Sequence, residues 1–574
     1  MRKTSNNNYR LILLAGVAVL AMLTYGVRLY SLQIVHGDTF QKQAKTQYTE
    51  SDGPQDDRGT ISLVTKDGKQ RTAAYQKSGY ELAVNGQTIA NPAQAYEKIT
   101  SLITLDTSKK SFIALTASTS DPYIKIKKRL SESAGEKINN KQIPGVNAYP
   151  QKWRQYPLGS LAAHTIGFVG FNKSTDYPTG IYGIEKYYND ILSRSAGSFY
   201  TNLFARVFSR PTETTRQKPH GQDGDVNLTI EPDVQSFLEQ QLQKTLDRWQ
   251  GRQAMGVIIE PDTGAIKGLG VTPSFNPNEY EQVANQSVFT NPVVQSRFEM
   301  GSIVKALTMS AGIDAGAVTP ETTYNDTGEV TLSGYTIENY DGSARGVVDM
   351  QTVLNQSLNT GAAYVADRLG RKQMRSYFRD WFSGKTGIDL PGEVKNNTDN
   401  LSEDRDLEFA TASFGQGISM TPIKTVQALS SLANGGQMVR PHVTDSIDYR
   451  LGGRSTIVPQ DGERVISQET ADTVSKMLVT VVDDVLDGGD RGRSRHSIAA
   501  KTGTAQISNA QGEYYENRFN HTFFGYFPAY EPEYLVFLMI REPQGVRFAS
   551  QTLTDPFMNI TDFLINYYNI PPDR

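Results

Sequence analysis

Cysteine is missing from all 574 residues. Its absence excludes disulfides, thiolate nucleophiles and Cys-based metal sites. Histidine is scarce. His36, His164, His220, His442, His496 and His521 are scattered, and none forms a His-Glu-x-x-His pair, which argues against a metalloenzyme. A dominant charge of one sign is lacking too. A formal net charge of −3 implies no broad basic face and argues against nucleic-acid binding. There is no Gly-x-Ser-x-Gly elbow, which disfavours an α/β-hydrolase triad using His442 or His521. Gly384-Lys385-Thr386 imitates the end of a phosphate loop, but Arg379 stands where its first glycine is required. No cofactor and no metal are expected.

Long apolar runs are rare, with one exception at the start. No charge interrupts Leu11 to Val27, and the apolar character continues to Val35 past Arg28, which can snorkel. Residues 11–35 are long enough to span a bilayer and lack an Ala-x-Ala cleavage site. Arg2, Lys3 and Arg10 precede the run with no acid among them, which keeps 1–10 cytoplasmic and places the rest outside. Residues 36–222 read as an elongated α+β module without catalytic groups, with strand-like runs at Thr60 to Val64 and Tyr80 to Val84. The basic run Lys125 to Arg129 reads as a solvated face. Lys218 to Asp225 is rich in turn formers and marks the boundary to a second domain, 225–574.

That second domain is organised around Phe298 to Met309. A tight turn there delivers Ser302 to a helix with little polar face, which belongs inside a large core. Ser302 and Lys305 are three apart, so they share one helix face. A lysine with a lowered pKa can accept the serine proton during attack. Ser-x-x-Lys alone is weak, since roughly one or two matches arise by composition in a chain this long. Ser357-Leu358-Asn359 and Lys501-Thr502-Gly503-Thr504 supply the missing roles. Ser357 can relay a proton, Asn359 can hold a substrate amide, and Lys501 adds positive field. Thr502 and Thr504 offer hydroxyls to a carboxylate. Gly503 leaves room for a peptide to add as a strand. The amides of Ser302 and Thr504 would form an oxyanion hole, each donor contributing roughly 2.7–4 kcal/mol. Around these motifs, a helix from Pro232, a hairpin at Pro261 to Gly264, strands after Ser497 and a closing helix from Pro556 predict an antiparallel sheet covered by helices.

The three motifs, in this order, are the signature of penicillin-binding proteins and serine β-lactamases. From about Arg58 onward the chain resembles a class B penicillin-binding protein, a membrane-anchored peptidoglycan D,D-transpeptidase. Arg58-Gly59-Thr60-Ile61, Tyr156-Pro157 with Ala163-His164, and Gly180 to Glu185 resemble motifs of that family's N-terminal module. Asp262 to Ile266, Pro273 to Asn278, Phe414-Gly415-Gln416-Gly417 and Leu432 to Gly436 match its catalytic domain. Lys-Thr-Gly-Thr and the modest length lean toward the division-type branch. Met300 and Ile303 stand where the family usually has Pro and Thr, and both flank the reacting groups rather than replace them. The run after Ile61 lacks the usual Asp-Arg-Asn-Gly.

The resemblance implies that Ser302 attacks the penultimate carbonyl of a stem peptide ending D-Ala-D-Ala and releases D-Ala. An amine of a neighbouring stem then resolves the acyl-enzyme. It also implies acylation by β-lactams, and partners that include a polytopic membrane glycan polymerase and other division proteins. Two alternatives stay open. One is a D,D-carboxypeptidase or β-lactamase, in which water resolves the acyl-enzyme. The other is a non-catalytic division scaffold or β-lactam sensor. Septal and elongation (cell-shape) roles are both open. Lys385-Thr386-Gly387 repeats the last motif, but a proline-containing turn run follows it, and it is expected to be structural. Asp487 to Arg493 is expected to be a surface loop.

Overall fold

Strand residues alternate between two faces, and here each face finds a different core. Five strands form one antiparallel sheet in the order Ala499–Ser508, Tyr514–Phe527, Tyr534–Arg541, Gln253–Ile259, Ile266–Thr272. Val257, Phe524 and Phe537 point into a core built with Ile303, Val304 and Leu307 of the Ser302 segment. Their neighbours Ile258, Phe523 and Leu538 point the other way, against Leu238 and Leu242 of helix Pro232–Trp249 and Phe557 of helix Ala549–Tyr568. Each fully buried side chain of this size contributes about 1.5–3 kcal/mol. Those two helices are pinned by Phe237 stacked on Phe563, with ring centroids 4.3 Å apart. The expected antiparallel sheet is therefore present, with strands from both ends of the domain.

The computed structural model describes residues 58–117, 123–171, 178–193, 223–459, 462–486, 495–509, 511 and 513–574, with Leu13, Gly16, Met22 and Thr24. Among the described residues no helix is long and apolar enough to cross a membrane. Apart from those four positions, the expected span 11–35 lies outside the described residues. So do the tail 1–10, most of the Lys218 to Asp225 boundary and the loop Asp487 to Arg493.

A second sheet is spliced from both halves of the chain. Ile61–Val64 pairs antiparallel with Gln70–Val84 on one side and parallel with Gly224–Leu228 on the other. Thr444–Tyr449 pairs with Gly224–Leu228 in turn. Beneath it Glu185 receives Arg58 Nε on one carboxylate oxygen and Arg154 Nε on the other, both at 2.6 Å, with all three side chains buried. Burial alone would push the Glu185 carboxyl up, but the two guanidiniums outweigh it and hold its pKa below the ordinary value. This pairing explains why an Arg-Gly-Thr-Ile start and a Gly-Ile-Glu turn occur in one chain. In the basic run, Lys127 reaches Asp106 at 2.9 Å and Lys125 reaches Glu81 at 3.2 Å.

One element differs from expectation. The closing helix begins at Ala549, so Pro556 lies inside it rather than at its start. Proline removes one ladder hydrogen bond. The buried Leu553, Phe557 and Ile560 hold the helix on its core through that break.

Candidate active site

Ser302 sits in a single 3₁₀ turn, Gly301–Ile303, that leads into helix Val304–Asp314. Close backbone packing fixes this turn. Gly301 adopts φ +64°, and a Cβ there would lie 2.6 Å from Thr504 O. Gly415, at φ +79°, could carry no Cβ either, because one would meet Gly301 O at 2.3 Å. Phe-Gly-Gln-Gly thus buttresses the nucleophile turn, and Gly301 N donates to Gly415 O at 3.2 Å.

On the other side the turn meets strand Ala499–Ser508, an edge of the five-stranded sheet. Thr504 O faces Gly301. Because N–H and C=O of one strand residue point the same way, the Thr504 N–H faces this side as well. Gly503 corrects an expectation. Its missing side chain faces the Thr522 hydroxyl, 2.4 Å from an added Cβ, with Met300 O at 2.7 Å and Ile303 N at 3.0 Å behind it, not the open cleft. It is needed for the strand to approach the turn. Gly503→Ala should therefore lower stability by about 1–3 kcal/mol and slow Ser302 acylation, since backbone atoms cannot yield as a side-chain tip can. Denaturant midpoints and labelling rates measured together would check this, and an unchanged pair of values would contradict it.

Lys305 is 1 % exposed. Its Nζ donates to Ser357 O at 2.5 Å and to Asn359 Oδ1 at 2.8 Å, and lies 3.3 Å from Ser357 Oγ. Burial pushes its pKa well below the ordinary amine value, and the charge of Lys501 adds in the same direction. Lys501, buried as well, is lowered to about 8 by desolvation. Ser357 is held at φ +54°, a left-handed conformation unusual for a non-glycine residue and a form of strain found at functional sites. Asn359 spends one Nδ2 hydrogen on Glu338 O at 2.8 Å, leaving the other free for a substrate amide. Thr504 Oγ1 accepts from Ala549 N at 3.1 Å and keeps its own hydrogen to donate.

Beneath this layer lies a network that sequence reasoning missed. Helix Asn359–Leu369 follows Leu358, which cannot cap it. Asn339 Oδ1 does so from a distant hairpin, accepting Asn359 N at 3.0 Å and Thr360 N at 3.3 Å. Asp326 in turn accepts from Asn339 Nδ2 at 3.0 Å and from Thr360 Oγ1 at 2.7 Å. Glu299 was missed too. It accepts from Gly417 N at 3.1 Å and Tyr514 OH at 3.0 Å, and burial raises its pKa to about 7. No local pattern marks Asp326 or Asn339, because each acts only across the fold.

Ser302, Ser357, Asn359, Lys501, Thr502 and Thr504 line one cleft of about 610 Å³, with Lys305 buried beside Ser357 and Asn359. The decoy Lys385-Thr386-Gly387 lies apart, closed into a turn by Glu393, which accepts Thr386 N at 2.6 Å and Gly387 N at 3.1 Å. His521 is buried, with Nδ1 2.9 Å from Thr552 Oγ1, and its pKa falls to about 4 through desolvation. Among the described residues no group of His, Asp and Glu could hold a metal ion.

Residues 254–561 match the penicillin binding protein transpeptidase domain, and 57–226 match the penicillin-binding protein dimerisation domain. Stage V sporulation protein D of Bacillus subtilis is 27 % identical, over 96 % of this chain and 84 % of that protein. Peptidoglycan D,D-transpeptidase FtsI of Escherichia coli is 25 % identical, over 79 % and 73 %. Penicillin binding protein 3 of Mycobacterium tuberculosis, solved with aztreonam, shares the fold at TM-score 0.66 and 23 % identity, over 90 % of this chain and 98 % of that one.

Proposed function

The chain belongs to the class B penicillin-binding proteins, with their dimerisation and transpeptidase domains, and from that premise we propose that Ser302, Lys305, Ser357, Asn359 and Lys501 carry its peptidoglycan D,D-transpeptidase reaction. One observation carries the assignment of roles. A fully buried lysine, Lys305, stands one helical turn from Ser302 and is hydrogen-bonded to Ser357 and Asn359. Neutral Lys305 takes the Ser302 proton as Oγ attacks the penultimate carbonyl of a stem ending D-Ala-D-Ala. The amides of Ser302 and Thr504 hold the oxyanion. Lys501 with Thr502 and Thr504 holds the terminal carboxylate. As the C–N bond breaks, the proton returns from Lys305 through the Ser357 hydroxyl to the leaving D-Ala amine. An acceptor amine from a second stem then attacks the ester, restores Ser302 and leaves a cross-link. β-Lactams acylate the same oxygen.

The family premise supports a place in septal wall synthesis, in line with FtsI among the relatives. Residues 11–35 would anchor the chain with its N-terminus cytoplasmic, and a polytopic glycan polymerase is the partner that such an arrangement would serve. Single-turnover labelling with a fluorescent penicillin tests this reading. The label should persist for many minutes and should be discharged faster by an added amine acceptor than by water. Rapid hydrolysis without an acceptor would instead identify a carboxypeptidase or β-lactamase.

A further inference from the structure

Among the described residues, two charged side chains line the cleft, Lys501 and Arg547, both cationic. The mechanism uses Lys501 for the terminal carboxylate of the donor and leaves Arg547 without a task. Arg547 is exposed, and both of its ends are tied to neighbouring elements. Its carbonyl accepts from His521 Nε2 at 3.0 Å, which ties it to the strand beside Thr504. Its Nη2 donates to Tyr340 O at 3.2 Å across the cleft. Phe548 meets the Tyr340 ring edge-on at 5.7 Å, and this contact holds the two walls together at that point. Among the described residues no carboxylate pairs with Arg547, so most of its five N–H donors remain free.

We propose that Arg547 is a second anionic subsite, which binds a free carboxylate carried by a residue of the donor peptide upstream of its D-Ala-D-Ala end. This rests on the transpeptidase reading of the cleft. A donor lying along the edge strand advances about 3.3 Å per residue. With its terminal carboxylate at Lys501, Thr502 and Thr504, its body runs on toward Gln506, on the same cleft wall as Arg547. A planar guanidinium recognises a carboxylate through paired, charge-assisted hydrogen bonds, and a primary amide at the same place would leave that pairing incomplete. Stems whose internal carboxylates are free are therefore preferred over stems in which they are amidated.

The test uses the full chain in detergent and two D-alanyl-thioglycolate thioester donors. They differ only in whether an upstream side chain ends in a carboxylate or its primary amide. In acylation the Ser302 Oγ–C bond forms, the C–S bond breaks and the thiol leaves with the proton. Fluorescent penicillin first counts competent sites in each preparation. The wild type should acylate with the carboxylate donor about tenfold faster than with the amide. Arg547→Gln should bring that ratio close to one, and Arg547→Lys should keep part of it. An equal rate for both donors in the wild type, no reaction with either, or an unchanged ratio in Arg547→Gln overturns the subsite while penicillin labelling leaves the transpeptidase reading standing. If the wild type takes no penicillin label, that reading falls and the subsite with it.

Discussion

Ser302→Ala should give a folded protein that takes no covalent label from fluorescent penicillin. Loss of the nucleophile in a serine acyl-transfer enzyme costs on the order of 10⁶-fold, which puts acylation below detection on any practical timescale. Little structural cost is expected, because the turn is held by backbone contacts. Gly301 rests on Thr504 O and Gly415, and Met300 O accepts the buried Thr522 hydroxyl at 2.8 Å. The melting temperature should therefore stay near the wild-type value, and the loss of label can be read as chemistry. Ser357 is the nearest alternative nucleophile, but its hydroxyl stands beside Lys305 in a strained loop, where a relay role suits it better. A label that survived in Ser302→Ala and vanished in Ser357→Ala would reverse the two roles. No label in the wild type would favour the non-catalytic scaffold.

How much of this site could be read in the sequence depended on whether a residue acts within a motif or across the fold. Ser302 and Lys305 were legible because helical spacing alone puts them on one face. The antiparallel sheet was legible because Met255 to Ile259 and Leu535 to Ile540 are β-branched and apolar runs bounded by turn residues. Gly503 stands out in the sequence, but its neighbour does not. Period-2 reasoning says that a strand glycine allows close approach, but not which side the approach comes from. Asp326, Asn339 and Thr360 escaped notice because their spacing in sequence matches no period, and only the fold joins them under Asn359. Local chemistry favours Pro556 as a helix start, and the core on which Phe557 and Leu564 pack overrides that preference.

Lys305→Met should reduce acylation by about 10²–10⁴-fold, the contribution of a positioned general base, and the wild type should show a bell-shaped dependence on pH. The signs follow from which form of each lysine works. Lys305 must be neutral to accept the Ser302 proton, so the rate falls on the acid side as it becomes protonated. Burial, and next the charge of Lys501, set that limb well below the ordinary amine value. Lys501 must be charged to hold a carboxylate, so the rate falls on the alkaline side as it loses its proton, at about 8. The two limbs are coupled, because each ammonium disfavours the other. Lys501→Met should therefore do two things at once. It removes the alkaline limb, and by withdrawing a neighbouring cation it moves the acid limb to higher pH, since neutral Lys305 is no longer favoured as strongly. Labelling rates across about pH 5 to 10 in the three proteins measure all of this. An acid limb that stays in place in Lys501→Met would show that the two amines do not sense each other. A wild-type rate in Lys305→Met would remove Lys305 from the proton path and pass the role of base to Ser357 and its neighbours.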